Sequence, residues 1–324
     1  TSYMSKDEKY TKYFEYFNFF VFSMLLLVMS GNFLVMFFGW ELVGLSSYLL
    51  ISFWSEKKSA SKAGNKAFIL NRIGDFGFLI GLMMILNYFE TFNFLSIFED
   101  TLKTRPENLD LIILFLLLGA FGKSAQFPLF SWLPDAMEGP TPASALIHAA
   151  TMVTAGVFML VRISPLLQFS EIGSITIISL GLLTALISAF AAINQDDIKK
   201  VLAYSTISQL GFMFIAIGAG AYVAAIFHLV THAFFKALLF LGAGAVIHEM
   251  HHEQNIYKMG GLRKKMPVTA AMMGIGTLAI SGIPPLAGFW SKDEILASVF
   301  SKGGIYYGFW ALSLLAALMT AFYM

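Results

Sequence analysis

The sequence predicts an all-α integral membrane protein of about ten transmembrane helices, built as two inverted five-helix repeats that each contain a broken helix. Three observations predict this class. Hydrophobic residues make up 57% of the 324 residues, and the mean hydropathy is +0.72. Ten apolar stretches have about the length needed to cross a bilayer. Two of these stretches, one in each half of the chain, are interrupted by proline-rich sequence.

The composition excludes several other classes of protein. Charged residues make up 13% of the chain, whereas about a quarter is usual in soluble proteins, so a soluble enzyme, a coiled coil and a disordered scaffold are excluded. A net charge of +1 argues against a nucleic-acid partner. The absence of cysteine excludes disulfides, thiolate zinc sites and iron–sulfur clusters held by this chain. Any redox centre is therefore expected in another protein.

The apolar stretches follow one another along the whole chain. The ten predicted spans are 14–30, 32–54, 65–88, 110–130, 143–161, 172–193, 201–218, 222–247, 267–298 and 305–324. The stretch 110–130 runs into the proline-rich sequence 127–142, and 267–298 is long and contains Pro284-Pro285. We therefore predict that these two helices are interrupted.

Cations are distributed unevenly between the two faces that ten spans create. One face has thirteen of them: Lys6, Lys9, Lys12, Lys57, Lys58, Lys62, Lys66, Lys199, Lys200, Lys258, Arg263, Lys264 and Lys265. The other face has four: Lys103, Arg105, Arg162 and Lys302. The positive-inside rule predicts that the thirteen-cation face is cytoplasmic or matrix. The remaining four cations lie within apolar spans: Arg72, Lys123, Lys236 and Lys292.

Charges inside the bilayer require partners or a function, because each costs at least about 2.5 kcal/mol. Asp75 follows Arg72 by three residues, which predicts an ion pair on one helix face, structural or functional. Glu41 is a second intramembrane acid. A lysine that engages and releases an acidic partner can hold and give up a proton. Lys123 and Lys292, beside the predicted breaks, are the best candidates, and snorkelling to a helix end is the alternative.

A ladder of titratable side chains occupies one face of one helix. His228, His232 and Lys236 are spaced four residues apart, over about 12 Å of helix rise. Together with His148 on another span they predict a proton wire completed by water, although a lone buried histidine is more often a packing residue. Five polar side chains are candidates for anchoring that water or for bonding to their own helix: Ser205, Thr206, Ser208, Gln209 and Thr231.

The two predicted breaks resemble one another. The first contains Phe127-Pro128-Leu129 with Trp132 and Asp135, and the second contains Pro285-Leu286 with Trp290 and Asp293. Paired broken helices in two halves of a chain are typical of transporters built from two repeats, with the ion site at mid-membrane. With five spans in each half, residues 1–165 and 166–324 are predicted to form inverted repeats.

One metal motif matches literally and is rejected. His248-Glu249-Met250-His251-His252 fits the H-E-x-x-H pattern of zinc proteases. The segment is the polar exit from a span, and no third ligand is evident. We predict a solvated loop and no metal site, with an intramembrane zinc protease as the alternative.

Six stretches together resemble the antiporter-like membrane subunits of respiratory complex I, NADH:quinone oxidoreductase, of the chain 5 or chain L type. They are GWELVGLSSYLLI from Gly39, NRIGDFGFLIG from Asn71, GKSAQFPLFSWLPDAMEGPTPASALIHAATMVTAGV from Gly122, DDIKKVLAYSTISQLGFM from Asp196, HLVTHAFFKALLFL from His228 and GIPPLAGFWSKDEIL from Gly282. The resemblance covers the whole chain. Related Mrp-type sodium/proton antiporters typically have a lysine where this chain has Thr154, which favours complex I.

The resemblance implies an antiporter-like fold and a role in proton translocation. It implies that flavin, iron–sulfur clusters and quinone belong to partner subunits of NADH:ubiquinone oxidoreductase, and that this chain has no cofactor. The family's input-side pair falls on Glu41 and Lys123 and its output-side lysine on Lys292. Its connecting residues fall on His148, His228, His232 and Lys236, and a supporting pair falls on Arg72 and Asp75. The implied partners are the other membrane-arm subunits, especially the neighbouring antiporter-like one, with lipid, protons and internal water.

The chain is shorter than members of this family. They carry further helices before the position of Thr1 and, after Met324, further spans and a lateral helix, so the chain is expected to cover the ten-helix core. The 33 phenylalanines and the absence of cysteine favour a mitochondrial genome. We expect the mitochondrial inner membrane, with a bacterial plasma membrane as the alternative. An Mrp-type sodium/proton antiporter subunit is the alternative function.

Overall fold

A computed structural model describes residues 4, 5 and 7–324 of the chain, and these form helices joined by short connections. The α-helices are α1 (Tyr10–Val28), α2 (Phe33–Ile51), α3 (Lys58–Phe89), α4 (Phe94–Lys103), α5 (Leu109–Lys123), α6 (Trp132–Asp135), α7 (Thr141–Ala149), α8 (Ala155–Arg162), α9 (Ser164–Leu167), α10 (Glu171–Ile193), α11 (Ile198–Gly218), α12 (Tyr222–Glu249), α13 (Pro267–Ser281), α14 (Ala287–Ser301) and α15 (Tyr306–Tyr323). Short 3₁₀ turns cover Ala136–Glu138, Met152–Thr154, Ile256–Lys258 and Leu262–Lys264. Residues 1–3 and Lys6, which belong to the predicted first repeat, lie outside the described residues.

The predicted all-helical class is confirmed, since no β-strand occurs within the described ranges. Seven segments of those ranges are long and apolar enough to cross a membrane: Phe33–Ile51, Lys58–Phe89, Thr141–Arg162, Glu171–Ile193, Ile198–Gly218, Tyr222–Glu249 and Tyr306–Tyr323. The other three predicted spans correspond to α1, to the fifteen-residue helix α5, and to the pair α13 and α14. The count of ten spans stays a prediction.

Side-chain caps fix where several helices begin. The side-chain oxygens of Asn32, Asn93, Ser170 and Asp197 accept hydrogen bonds from backbone N–H groups in the first turns of α2, α4, α10 and α11. Such caps satisfy N–H groups that have no partner inside the helix. The structure thus assigns a capping side chain to the start of each of these four helices.

Both predicted interruptions are present, and the structure adds a third. Helix α5 ends at Lys123, well before α6, and five residues separate the end of α13 at Ser281 from the start of α14. The predicted span 143–161 corresponds to the membrane-crossing segment Thr141–Arg162, but its helix is interrupted, because α7 ends at Ala149 and α8 begins at Ala155. The hydroxyl groups of Thr151 and Thr154 donate to the carbonyls of Leu146 and Ala150, and such side-chain bonds compete with the helical ladder.

Close helix packing brings the intramembrane charges together. Helix α11 is buried along nearly its whole length and packs against α10 and α12. Helices α3 and α5 cross at two glycines, where a Cβ on Gly74 would lie 3.0 Å from the Cα of Gly122. Their sequence neighbours Asp75 and Lys123 therefore meet in the interior. The absence of both side chains is what allows this approach.

Large apolar side chains cover the outside of the bundle. Phe76, Phe190, Phe234 and Phe322 each expose more than 60% of their surface. On a soluble protein such a surface would be an aggregation hazard or an interface. On a spanning bundle it is the surface that faces lipid or neighbouring membrane proteins.

Candidate functional site

Six predicted site residues lie in the interior of the bundle. Lys123, His148, His228, His232 and Lys236 have no exposed surface, and Lys292 exposes 4%. They belong to α5, α7, α12 and α14. Titratable side chains are rarely buried in this way without partners or a function, so the surroundings of each one are decisive.

The first group, the Lys123 cluster, consists of Trp40, Asp75 and Lys123. The Lys123 Nζ donates to Asp75 Oδ2 at 3.3 Å, and the Trp40 Nε1 donates to Asp75 Oδ1 at 2.7 Å. The ammonium group also lies 5.9 Å from the centroid of the Trp40 ring, a cation–π distance. Gly44 makes room for it, since a Cβ there would lie 2.8 Å from Nζ. The carboxylate thus has two donors and the lysine has an acidic partner.

The intramembrane charges pair differently from the sequence prediction. Arg72 forms its ion pair with Glu41, not with Asp75. Arg72 and Asp75 are one turn apart on α3, but Arg72 points outward and is 41% exposed, whereas Asp75 is buried against α5. The predicted Arg72–Asp75 pair is therefore wrong. The Glu41 and Lys123 side chains, expected to pair with each other, likewise have different partners, Arg72 and Asp75.

His148 is buried without a protein hydrogen-bond partner. Neither ring nitrogen has a partner among the described residues. The ring lies 6.3 Å, centroid to centroid, from both Trp132 and Phe240. Lys199 is the charged side chain that interacts electrostatically with the His148 ring. An unpaired buried polar group costs about 1–3 kcal/mol, so this position is unfavourable for stability alone.

The helix break after His148 supplies a partner for the next histidine. Helix α7 ends at Ala149, and the Ala149 carbonyl accepts a hydrogen bond from His232 Nδ1 at 2.9 Å. Carbonyls at a helix end have no partner within the helix, which is why this one is available. The residue directly after His148 in sequence therefore holds the His232 ring. One turn further along α12, the Lys236 Nζ donates to the Leu202 carbonyl at 3.1 Å and to the Ser205 hydroxyl.

The second group, the His228 cluster, consists of Gln209, His228, Thr231 and Ser291. His228 Nδ1 lies 2.8 Å from Ser291 Oγ, and His228 Nε2 lies 3.2 Å from Gln209 Oε1. Thr231 Oγ1 lies 3.0 Å from Ser291 Oγ and donates to the His228 carbonyl. The rings of His228 and His232 are 6.5 Å apart. The cluster joins α11, α12 and α14.

Lys292 lies beside the second helix break. Its Nζ donates to the Ile280 carbonyl at 2.8 Å, at the end of α13. The same group lies 5.1 Å from the centroid of the Phe212 ring. Gly282 follows in the left-handed region with a φ of +76°, which ends α13 and leaves its last carbonyls available. The break therefore provides the ligand for the buried cation, as expected of interrupted membrane helices.

A polar vestibule opens on the lysine-rich side of the bundle. It has a volume of about 780 Å³, and five of the cations that the sequence assigns to that face line it, at or near the starts of α3 and α11: Lys57, Lys62, Lys66, Lys199 and Lys200. Asp135 and Glu138 also line it, and Asp135 forms an ion pair with Lys66. The convergence of these side chains agrees with the predicted grouping of the cations on one face.

Lys199 is a buried cation that sequence reasoning assigns to the surface. It is 4% exposed, and its Nζ donates to the carbonyls of Met137 and Gly139, the latter at 3.2 Å. Its position in the first turn of α11 is the one sequence feature that indicates an unusual lysine, because a cation there is repelled by the positive end of the helix dipole. Trp40 and Ser291 are also missing from the predicted set, although each adjoins a predicted residue in sequence, Glu41 and Lys292.

The polar side chains of α11 divide between the two predicted roles. Thr206 donates to a carbonyl of its own helix, and Ser208 to the Ala185 carbonyl of α10. Ser205 and Gln209 contact Lys236 and His228, respectively. The second pair, together with Thr231, therefore belongs to the surroundings of the titratable groups.

The H-E-x-x-H segment lacks the helical geometry of a zinc site. Helix α12 ends at Glu249, so His252 lies outside the helix, with a φ of +70°. The zinc motif requires both histidines one turn apart on a helix face. No group of three or more His, Cys, Asp or Glu side chains that could hold a metal is found in residues 4, 5 and 7–324.

Comparison with known proteins decides the family. A model of the NADH:quinone oxidoreductase/Mrp antiporter transmembrane family matches residues 30–320. The chain belongs to this family. The match covers α2 to α14 and most of α15, and therefore every residue of the Lys123 and His228 clusters.

The most similar curated relatives include complex I subunits from bacteria and eukaryotes. The chain is 53% identical to NADH-quinone oxidoreductase subunit L of Rickettsia bellii, over 99% of this chain and 51% of the relative. It is 51% identical to NADH-ubiquinone oxidoreductase chain 5 of Acanthamoeba castellanii, over 99% of this chain and 49% of the relative. The chain thus spans about half the length of the curated relatives it matches.

Solved structures have the same fold. The Mrp complex from Dietzia sp. matches with a TM-score of 0.90 and 35% identity, over 96% of this chain and 35% of that chain. The archaeal membrane-bound sulfane sulfur reductase, a respiratory membrane complex, matches with a TM-score of 0.88 and 27% identity, over 98% of this chain and 66% of that chain. The antiporter-like fold expected from the sequence is confirmed by these similarities.

Proposed function

We propose that the chain is the transmembrane core of a proton-translocating membrane-arm subunit of complex I, NADH:ubiquinone oxidoreductase. One observation carries the proposal: six titratable side chains, on four helices and between Lys123 and Lys292 in sequence, are buried in the interior of the bundle. Redox chemistry would belong to partner subunits, and this chain would move protons in response to quinone reduction elsewhere. The names of the curated relatives, subunit L and chain 5, support this assignment.

The proposed pathway has an input lysine, a connecting series and an output lysine. Lys123 takes up a proton while paired with Asp75 and passes it to His148 when the pair loosens. His148 has no protein partner in the described structure, so internal water is the partner that proton transfer calls for. The connecting series comprises Lys236, His232 and His228. Lys292, beside the second break, is the output group.

The Glu41–Arg72 pair would face a neighbouring antiporter-like subunit. Both side chains lie within predicted spans and remain partly exposed, 21% and 41%. Charges exposed to lipid are costly, so a polar surface of another membrane subunit is the favoured neighbour. Through this pair, a change in the neighbouring subunit would reach α3 and hence Asp75.

We also propose that residues 1–165 and 166–324 are inverted repeats. Each half contains a break, after Lys123 and after Ser281, and each break adjoins a buried lysine. The parallel is incomplete in detail, because Trp132 is buried whereas Trp290 is 58% exposed. The proposed membrane is the mitochondrial inner membrane or a bacterial plasma membrane.

An Mrp-type sodium/proton antiporter subunit is the second candidate. The TM-score of 0.90 to the Mrp complex favours it, and Thr154, where such antiporters typically have lysine, argues against it. Sodium dependence of transport separates the two candidates. A complex I subunit should move protons in sodium-free vesicles at the same stoichiometry.

The test is the Lys123→Ala substitution in the assembled complex. We expect the variant to assemble with flavin- and iron–sulfur-containing subunits on a native gel, with a lower number of protons moved per quinone reduced. Lys103→Ala, at a lysine that is 72% exposed, is the control and should pump normally. Normal stoichiometry in Lys123→Ala would remove this lysine from the mechanism, and migration without redox subunits would favour the antiporter.

A further inference from the structure

Ser291 and Gln209 give the two nitrogens of His228 different chemical surroundings. Gln209 offers its carbonyl oxygen to Nε2, and an amide oxygen is an acceptor only. With the Gln209 amide in this orientation, His228 Nε2 carries a hydrogen in the neutral and in the charged ring. Ser291 offers a hydroxyl group to Nδ1, and a hydroxyl both donates and accepts. Nδ1 is thus the nitrogen at which His228 can exchange a proton.

The hydroxyl groups of the cluster suit both charge states of the imidazole. In the neutral ring, the Ser291 hydroxyl donates to Nδ1 at 2.8 Å. In the imidazolium, Nδ1–H donates to Ser291, whose own hydrogen turns to Thr231 Oγ1 at 3.0 Å or to the Gly288 carbonyl of its own helix at 3.4 Å. Thr231 accepts it because its hydrogen is already donated to the His228 carbonyl. The change between the two charge states therefore needs the rotation of one hydroxyl group and no movement of heavy atoms.

We infer that Ser291 is the proton relay between His228 and the segment that carries Lys292, and that Gln209 is the positioning residue that sets the His228 tautomer. The inference rests on the proposed function. In the relay step the Ser291 hydroxyl hydrogen turns from Thr231 Oγ1 to an internal water, the imidazolium gives the Nδ1 proton to Ser291 Oγ, and Ser291 passes its former hydroxyl proton to that water. His228 ends neutral with hydrogen on Nε2, Ser291 is again a neutral hydroxyl, and one proton has advanced.

The electrostatic surroundings of His228 come from two neighbours. Among the described residues, two titratable groups interact electrostatically with the His228 ring: Lys292 on α14 and His232 on α12. From α11 the neutral Gln209 faces the ring, and Ser291 faces it from α14. No carboxylate among these contacts holds the imidazolium permanently. The ring is therefore free to give up its proton through Ser291.

The first test compares Ser291→Ala, Ser291→Thr and Ser313→Ala in the whole complex reconstituted in vesicles. Ser313 is the matched control, a fully buried serine whose hydroxyl donates to a carbonyl of its own helix. We expect Ser291→Ala to slow proton transfer about tenfold, which is about 1.4 kcal/mol, while Ser291→Thr and Ser313→Ala stay close to the unmodified protein. Normal pumping by Ser291→Ala, or equal losses in Ser291→Ala and Ser291→Thr, would overturn the relay.

The second test needs no substitution at Ser291. Nitrogen-15 NMR of histidine-labelled complex, with His228→Gln to assign the signal, gives the tautomer of the neutral ring. We expect hydrogen on Nε2, and hydrogen on Nδ1 would overturn the inference. Pumping by Lys123→Ala in the same vesicles distinguishes a failure of the relay from a failure of the proposed function. Impaired pumping in Lys123→Ala with normal pumping in Ser291→Ala refutes only the relay, whereas normal pumping in both refutes the proposed function as well.

Discussion

Neutralising Asp75 removes the only carboxylate that contacts Lys123 among the described residues. The Asp75→Asn change keeps an oxygen for the Trp40 Nε1 hydrogen bond but removes the charge that faces Lys123 Nζ at 3.3 Å. At that distance and an effective dielectric constant of about 20, two unit charges attract by about 5 kcal/mol. Removing one partner of a buried pair costs about 3–5 kcal/mol. We expect a loss of stability in this range together with impaired proton pumping.

A double-mutant cycle separates the charge effect from packing. Asp75→Asn combined with Lys123→Gln contains no buried charge at this site, so most of the stability should return while pumping stays impaired. The measurement is the free energy of unfolding in mixed micelles, with pumping assayed in vesicles. The control is the exposed Asp100–Lys103 pair, 3.5 Å apart, whose coupling should be at most about 0.5 kcal/mol. A cost for Asp75→Asn as small as the control would refute the reasoning.

Three further predictions use the surroundings of the buried groups. Gly44→Ala places a Cβ 2.8 Å from Lys123 Nζ, so the flexible amine should shift and pumping should fall severalfold in vesicle assays, with normal assembly on native gels. Gly288→Ala places a Cβ 1.8 Å from the Ala279 carbonyl oxygen, a clash with backbone that should prevent assembly of the complex. Backbone N–H groups and Lys258 hold the pKa of the Glu253 carboxylate below its usual value. The resulting stabilisation of the 253–258 loop is present above the unfolded-state pKa of Glu253 and is lost as the pH falls through its folded-state pKa. Amide hydrogen exchange of the loop measures this loss.

Matched controls distinguish these effects from general damage. Gly274→Ala, on α13, meets no atom within 4 Å, so it should assemble normally and stabilise its helix by about 1 kcal/mol. Full activity of Gly44→Ala would contradict the position of the Lys123 amine. Normal assembly of Gly288→Ala would contradict the contact between α13 and α14. If the protection of the 253–258 loop from amide hydrogen exchange does not change as the pH falls in the acid range, the role of the Glu253 carboxylate is contradicted.

Apolar length and prolines allowed the helical class and two of the breaks to be predicted. The second signal is local, because a proline acts within a few residues. The break at Ala149 was not predictable in this way, since Thr151 and Thr154 are compatible with a helix and the outcome depends on which carbonyls their hydroxyls reach. Ion pairing was also unpredictable, because the spacing of Arg72 and Asp75 fits a pair that tertiary packing overrides.

Candidate site residues were predictable where burial alone makes a charge conspicuous. Lys123, Lys236 and Lys292 stand out because each interrupts apolar sequence. Lys199 does not, since it follows two aspartates at a helix start and resembles a solvated residue until Met137 and Gly139 are seen to enclose it. Ser291 is equally inconspicuous, because a serine in a membrane helix usually bonds to its own backbone.

The buried lysines are held by two kinds of partner, and the difference has a consequence for proton transfer. Lys123 contacts the carboxylate of Asp75, whose charge favours an ammonium group and not a neutral amine. Lys292 contacts the carbonyl freed at the end of α13, and Lys236 contacts a carbonyl and a hydroxyl group. Such oxygens accept a hydrogen bond from an ammonium group and from a neutral amine alike. Under the proposed function, the Asp75 carboxylate is therefore the contact whose loosening would release a proton from Lys123 into the connecting series.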